Sequence, residues 1–488
     1  MSRALASLVA TAASAQIEII ADDEGGPGRG SSSAAEGFAP EAQAGGFFST
    51  ELAQDTVQET DVREDAMTLR AQAFARADYR VSRLRLHLDG WLDWWLTGER
   101  GDDALVIANG ERWKAEHEAT LGEAFVDADL ARVALTAGHL IVVWGQNDLV
   151  NPNDVVNPRD RRHGVSLEPE TARLPVVALR ARAPVGPLSA EALWVPFFRA
   201  DRVDLFGGDW ALFGPGAPAA LRGFADALDD SIDDSIEDKA QPVLLQTEMP
   251  DETAANGSVG ARLSSSAGGY DVAAQVFYGW ARLPTIEIDA DAFAALAAGD
   301  FDAARAGYRA YYRRSLSAGA SFGTNLGDFG VRADGAFTPR REYPLGGAFP
   351  LRSIDDEHFR PSIDSGAVDT TLGVEYAGVE DVVLHAEAFH QRMLKDPEGQ
   401  ELLFGGPSLY GAALLLRWAL MDGDLELRAL AVLEATRRSL VASPQVVYRV
   451  SDTWSLRAGA HVFEGREGSL GAFYDRNDEI YLGAKASF

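Results

Sequence analysis

The residues of this 488-residue chain that could do chemistry are eight histidines and many arginines and carboxylates; cysteine is absent. Nucleophilic hydrolysis needs Ser/His or Asp/His groups at hydrogen-bonding distance. The histidines are scattered: His87, His117, His139, His163, His358, His385, His390 and His461. None stands in a G-x-S-x-G or H-E-x-x-H setting. His385 and Glu387 share one face of an alternating segment, but any charged lining offers that. Without cysteine there is no thiolate nucleophile, thiolate metal site or disulfide. The chain is therefore read as a non-enzyme, with no catalytic, metal or cofactor residue assigned and no cofactor expected. A hydrolase carried by a barrel stays as an alternative.

The charged residues do have an order. Ser82–Asp89 reads SRLRLHLD, with Leu84, Leu86 and Leu88 on one face and Arg83, Arg85, His87 and Asp89 on the other. The same period of two returns where Leu425, Leu427, Ala429 and Leu433 oppose Glu426, Arg428 and Glu434. It recurs where Leu456 and Ala458 oppose Arg457, and where Val331 and Ala333 oppose Arg332 and Asp334. Such alternation marks strands with one apolar and one polar face. In a soluble sandwich the apolar face meets a core. In a membrane barrel it meets lipid, and the charged face lines the lumen.

Composition narrows the choice. No run approaches the ~18 consecutive apolar residues of a membrane helix, and mean hydropathy is only −0.12. A barrel keeps this average because only every second residue faces lipid. The formal charge of −30 excludes nucleic acid as a partner.

Three features select the membrane barrel. The alternation covers nearly the whole chain from about residue 65. Tight turns at 325–328, 378–381 and 422–424 alternate with long polar loops near 95–119, 145–173, 196–254, 279–312 and 338–367. Short turns at one rim and long loops at the other describe an outer-membrane barrel with periplasmic turns and extracellular loops. Finally, Ile480–Phe488 alternates and ends on an aromatic, which resembles the signal read by the barrel-assembly machinery, although the residue two before the end is not aromatic. Loop parity predicts an all-β, antiparallel up-and-down barrel of about eighteen strands, with sixteen as the alternative. The first strand is placed at 46–53 and pairs with the closing strand. Residues 1–15 read as a secretory leader or an exposed extension, 16–45 as a flexible linker, and 46–488 as the barrel. The interval 289–314 has helical spacing and is read as either a plug helix or a surface loop.

The stretch 121–210 carries the most specific pattern. Leu121–Asp127 (LGEAFVD) precedes Leu135–Gly145 (LTAGHLIVVWG), then Asn151–Asp160 (NPNDVVNPRD) and Trp194–Phe198 (WVPFF). This order resembles a family of porin-like bacterial outer-membrane barrels of unknown function and, more loosely, alginate-export porins. The resemblance implies association with RND-type exporters and a role in moving lipids or other hydrophobic compounds. It supplies no catalytic residues.

The segment 144–163 combines two Asn-Pro dipeptides, which restrict the preceding backbone, with three acids and three arginines. It is either a rigid loop latched to the wall or a constriction loop facing the lumen. Candidate lumen or constriction residues are Asp148, Asp154, Arg159, Asp160, Arg161, Arg162, Arg83, Arg85, Arg332, Asp334, Glu426, Arg428 and Arg457, with Phe488 as the assembly signal. The function read from this is an outer-membrane channel or transporter-like barrel. It would pass or export a lipid, hydrophobic or other small substrate, with outer-membrane lipid, the assembly machinery and an envelope export system as partners. A structural or adhesive barrel is the other alternative.

Overall fold

A computed structural model describes residues 41–56, 65–99, 113–162, 169–203, 210, 247–288, 300, 303, 308–344, 362–395, 397, 402, 406–466 and 469–488. The chain winds through eighteen antiparallel strands. They begin with β1 (Glu41–Asp55), β2 (Asp65–Val81), β3 (Leu84–Glu99), β4 (Trp113–Leu130), β5 (Val133–Leu140) and β6 (Val176–Val185). Next come β7 (Leu188–Val195), β8 (Ser258–Ala267), β9 (Tyr270–Trp280), β10 (Arg314–Leu326), β11 (Phe329–Pro344) and β12 (Ser362–Val379). The last six are β13 (Val382–Met393), β14 (Ser408–Leu420), β15 (Leu425–Glu434), β16 (Ser439–Arg449), β17 (Trp454–Glu464) and β18 (Glu479–Ser487). Each pairs with its sequence neighbours, and β18 pairs with β1 to close the ring.

Connections alternate as loop parity requires. One rim has only turns of two to four residues, such as Gly186 and Gly327, where positive φ favours glycine. The other carries the long connections, including 141–175, 196–257 and 281–313. The first strand starts at Glu41, so the last five residues of the expected linker belong to the wall. The expected leader and the rest of the linker lie outside the described residues. So does most of the interval read as helical; Tyr308–Tyr311 within it is a short strand in a three-stranded sheet separate from that of the barrel.

Sidedness follows the alternation. Leu84, Leu86, Leu88, Val276, Leu372, Leu414 and Leu482 are exposed on the outside. Exposed aromatics gather near both ends of the strands. Tyr79, Tyr270, Phe329, Tyr448, Trp454 and Phe488 are near the short turns, and Trp94, Tyr278, Phe337 and Tyr410 are nearer the long loops. An apolar belt between two aromatic girdles on a closed barrel is the surface that a bilayer covers. The protein is an outer-membrane β-barrel, with its short turns in the periplasm.

The closing seam is continuous. Phe47 pairs with Ser487 and Asp55 with Glu479, and Phe488 exchanges two backbone hydrogen bonds with Gly46 at 2.9 and 3.0 Å. The Phe488 ring points outward at the periplasmic end, 76% exposed. Leu482, mid-strand on the outer face, tests this placement. Leu482→Arg is expected to cost about 2–4 kcal/mol in reversible unfolding from lipid vesicles, and Leu482→Ala clearly less. Equal effects would mean that β18 does not face lipid.

Candidate functional site: a loop across the lumen

Eighteen strands about 4.8 Å apart and tilted about 40° enclose a ring roughly 35 Å across. Wall side chains alone do not fill that width. The connection from β5 to β6 enters it. Leaving β5 at Leu140, the chain runs along the inner face of β6–β9, where Val142 and Trp144 pack with Val176, Ala178, Leu193 and Phe277. Gly260 makes room for the Trp144 ring, since a Cβ there would lie 2.6 Å from it.

The loop then reaches the far wall. Buried Asp334 on β11 accepts from the backbone N–H of Gln146 at 2.9 Å and of Asn147 at 2.7 Å, and from the side-chain amides of Asn147 and Asn153. On β13, the fully buried Glu387 carboxylate accepts from the amides of Asp148, Leu149 and Val150 at 2.8, 3.0 and 2.6 Å. Hydrogen bonds to an ionised acceptor each contribute about 1.5–3 kcal/mol. β13 is eight strands from β5 in a ring of eighteen, one short of the opposite wall. Beyond the latch, Leu149 and Val150 pack on Phe389, Ala413, Leu430, Val432, Val441 and Phe463, which carry the contact round to β17.

Sequence features explain why this loop can hold its path without strand partners. Asparagine side chains replace backbone partners. Asn157 accepts from Val142 N–H and donates to the carbonyls of Leu140 and Leu174, while Asn151 donates to the Trp144 carbonyl. The wall opposite carries glycines. A Cβ on Gly319 would overlap Asn153 Oδ1, and one on Gly373 would overlap Asn147 Oδ1.

The candidate residues sort into three groups. Asp148, Arg332 and Asp334 meet at the latch: Arg332 bonds Asp148 and, at 3.2 Å, Glu375, while His385 Nε2 lies 2.8 Å from Glu387. Asp154, Arg159, Asp160, Arg161 and Arg162 form ion pairs on the returning limb. Asp154 pairs with Arg159 at 2.6 Å and Arg173 at 3.1 Å, and Arg161 pairs with Asp201 at 2.8 Å. Arg162 joins Asp160 at 2.5 Å and Glu118 of β4 at 2.7 Å. The remainder lie away from the loop. Arg85 pairs with Asp78, Glu426 with Arg417 and Arg428, and Arg457 with Glu51, all as links in the inner wall. Arg83, expected to face the lumen, instead sits in the exposed turn between β2 and β3, where the two-residue reversal interrupts the alternation.

Sequence reasoning did not find the backbone amides of 146–150 or Asn147 and Asn153, and it noted Asn151 and Asn157 only as parts of Asn-Pro pairs. The asparagine spacing at 147, 151, 153 and 157 was the available signal.

Among the described residues, two groups bring three potential cation ligands within 4.8 Å: His87, Asp89 and Glu123, and Asp148, Glu375 and His385. Both are committed elsewhere. Arg332 already bonds Asp148 and Glu375, and His87 uses one ring nitrogen on Asp78 and the other on Asp89.

Burial pushes the Asp154 and Asp201 carboxyls up, but the arginines around them more than reverse it and hold both below the usual carboxylate range. Because their folded values lie below the unfolded ones, their contribution is complete above about pH 4 and is lost as pH falls through the folded values. Hydrogen exchange of amides 154–161 should therefore stay slow from neutral pH to about pH 4, once corrected for intrinsic rates, and accelerate below it. At the latch, Glu387→Gln keeps the shape but removes the charge that three amides share. It should speed exchange at 148–150 by an amount equivalent to about 2–4 kcal/mol. Unchanged protection would show that the latch does not hold the loop.

A family profile described as "Protein of unknown function (DUF1302)" matches residues 39–488. No curated protein matches the chain in sequence. Among solved structures, the chain is similar to the outer membrane channel DcaP of Acinetobacter baumannii, at 9% identity over 92% of this chain and 97% of that one, with a TM-score of 0.38. It is also similar to Pseudomonas aeruginosa OccK5 (OpdH), at 10% identity over 92% and 98%, with a TM-score of 0.44. For Acinetobacter baumannii OccAB1 the values are 9% identity over 92% and 96%, with a TM-score of 0.48.

Proposed function

Because the chain belongs to the DUF1302 family, whose function is unknown, we propose from the geometry that it is a substrate-selective outer-membrane channel whose passage is set by the inserted loop. The observation that carries this reading is the reach of the loop from β5 to buried carboxylates on β11 and β13. A barrel needed only as a scaffold or adhesin has no use for an element latched across its interior. The inner wall near the short turns carries ion pairs such as Arg85–Asp78 and Arg417–Glu426, and charged groups of this kind are favoured beside water rather than in a dry core. Solute would pass between the loop and the wall.

A hydrolytic reading finds no support at the most suggestive pair. His385 and Glu387 are in contact, but the Glu387 carboxylate already accepts three backbone amides, which leaves it a structural acceptor rather than a base.

Planar-bilayer recording tests the reading. The wild-type protein should give stable single-channel steps well below those of an unobstructed eighteen-strand pore. Replacing both latch carboxylates, Asp334→Ala with Glu387→Ala, should raise the step size severalfold while heat-modifiable gel migration shows the barrel intact. Identical steps in a folded double variant would remove the loop as the constriction. The absence of steps in both would favour a structural barrel.

A further inference from the structure

Between the returning limb of the loop and the inner face of β9–β13 lies a cavity of about 350 Å³. Its charge runs against that of the chain. Its lining contributes seven arginines and five carboxylates, with no lysine, in a protein of formal charge −30. The surplus can be located. On the loop side, the lining arginines Arg159, Arg161 and Arg282, with Arg173 from outside the lining, surround two buried carboxylates. Arg159 and Arg173 bond Asp154, and Arg161 bonds Asp201. Arg282 stands beside both acids but donates to the Asn157 carbonyl at 2.5 Å, and among the described residues no carboxylate pairs with it. On the wall side three of four arginines are paired with carboxylates, Arg341 with Asp369, Arg313 with Glu342 and Arg340 with Asp364. Arg314 is held by the carbonyls of Asn256 and Gly257 and lies over the Trp280 ring.

The crowding has an electrostatic signature. Burial, together with repulsion from Arg282 and Arg159, pulls the Arg161 guanidinium down to about 10 despite its bond to Asp201. An anion entering here would relieve that repulsion. The uncharged lining is mixed: Leu149, Val150, Phe277 and Phe389 supply apolar surface, and Ser315, Thr370 and Gln391 are among its polar groups. A guanidinium presents a planar pair of donors that matches a carboxylate. Apolar surface beside a charged donor orients an amphipathic ligand.

We propose that this cavity binds a small organic monocarboxylate, with its carboxylate on Arg282 and its apolar body against Leu149, Val150 and Phe389. The inference rests on the channel reading and names what that channel takes.

The test is calorimetric titration of the full-length protein in detergent with benzoate, benzamide and inorganic phosphate, alongside bilayer recording. Benzoate should bind saturably, and the isosteric neutral benzamide about tenfold more weakly or less, the difference expected for one charge-assisted contact. Phosphate, which lacks the apolar body, should also bind more weakly than benzoate. Arg282→Gln should weaken benzoate binding by about tenfold, and the charge-keeping Arg282→Lys by less. Equal binding of benzoate and benzamide overturns the proposal and leaves the channel reading standing; that comparison needs no variant. Phosphate binding as tight as benzoate overturns the apolar half of the site. Benzoate binding that depends on Arg282 supports the site even if the protein conducts no ions, a result that would remove the channel reading instead.

Discussion

Two buried wall carboxylates, Asp334 and Glu387, hold the amides of residues 146–150 against the far side of the barrel. The interior arrangement depends on this contact. A peptide segment crossing a lumen has no strand partner, and unpaired buried amides are strongly unfavourable. A buried carboxylate without donors is more unfavourable still. Each therefore needs the other. The contact sets the height at which the loop crosses, brings Leu149 and Val150 onto an apolar patch, and orients the returning limb with its arginines.

The latch divides the lumen chemically. Toward the periplasm the wall carries short-range ion pairs between neighbouring strands, Arg85–Asp78 and Arg417–Glu426, which stiffen it without favouring either sign of ion. Toward the long loops, the limb that returns from the latch concentrates guanidinium groups around Asp154 and Asp201. An acidic chain thus encloses a locally basic chamber. The acidic excess must lie elsewhere, so net charge says little about what the interior prefers.

Much of the fold was legible because the bilayer and the barrel each impose a strict rule. Lipid demands apolar residues at every second position, and closure demands alternating short and long connections. The segments around Leu84–Leu88 and Leu425–Leu433, and the turns at 327, 381 and 423, show both rules. The ring of eighteen followed from them. The site was less legible. Asp334 and Arg332 could be placed on the inner face by parity, and the loop 144–163 stood out by its Asn-Pro pairs. Which wall carboxylate would meet which amide depends on contacts separated by more than 180 residues, as between Asp334 and Gln146 or Glu387 and Val150. Strand periodicity carries no information about that distance. Glycines 319 and 373 read as weak strand positions until the asparagines they accommodate are seen.

The reach of the loop can be measured directly because the chain contains no cysteine. Two double-cysteine variants share Val150→Cys, one paired with Phe389→Cys on the far wall and the other with Phe74→Cys on β2. Both partner rings are buried toward the interior. Oxidation in outer-membrane vesicles should join the Val150/Phe389 pair and leave the Val150/Phe74 pair unlinked. The reverse pattern, or no link in either folded variant, would contradict a loop latched across the lumen.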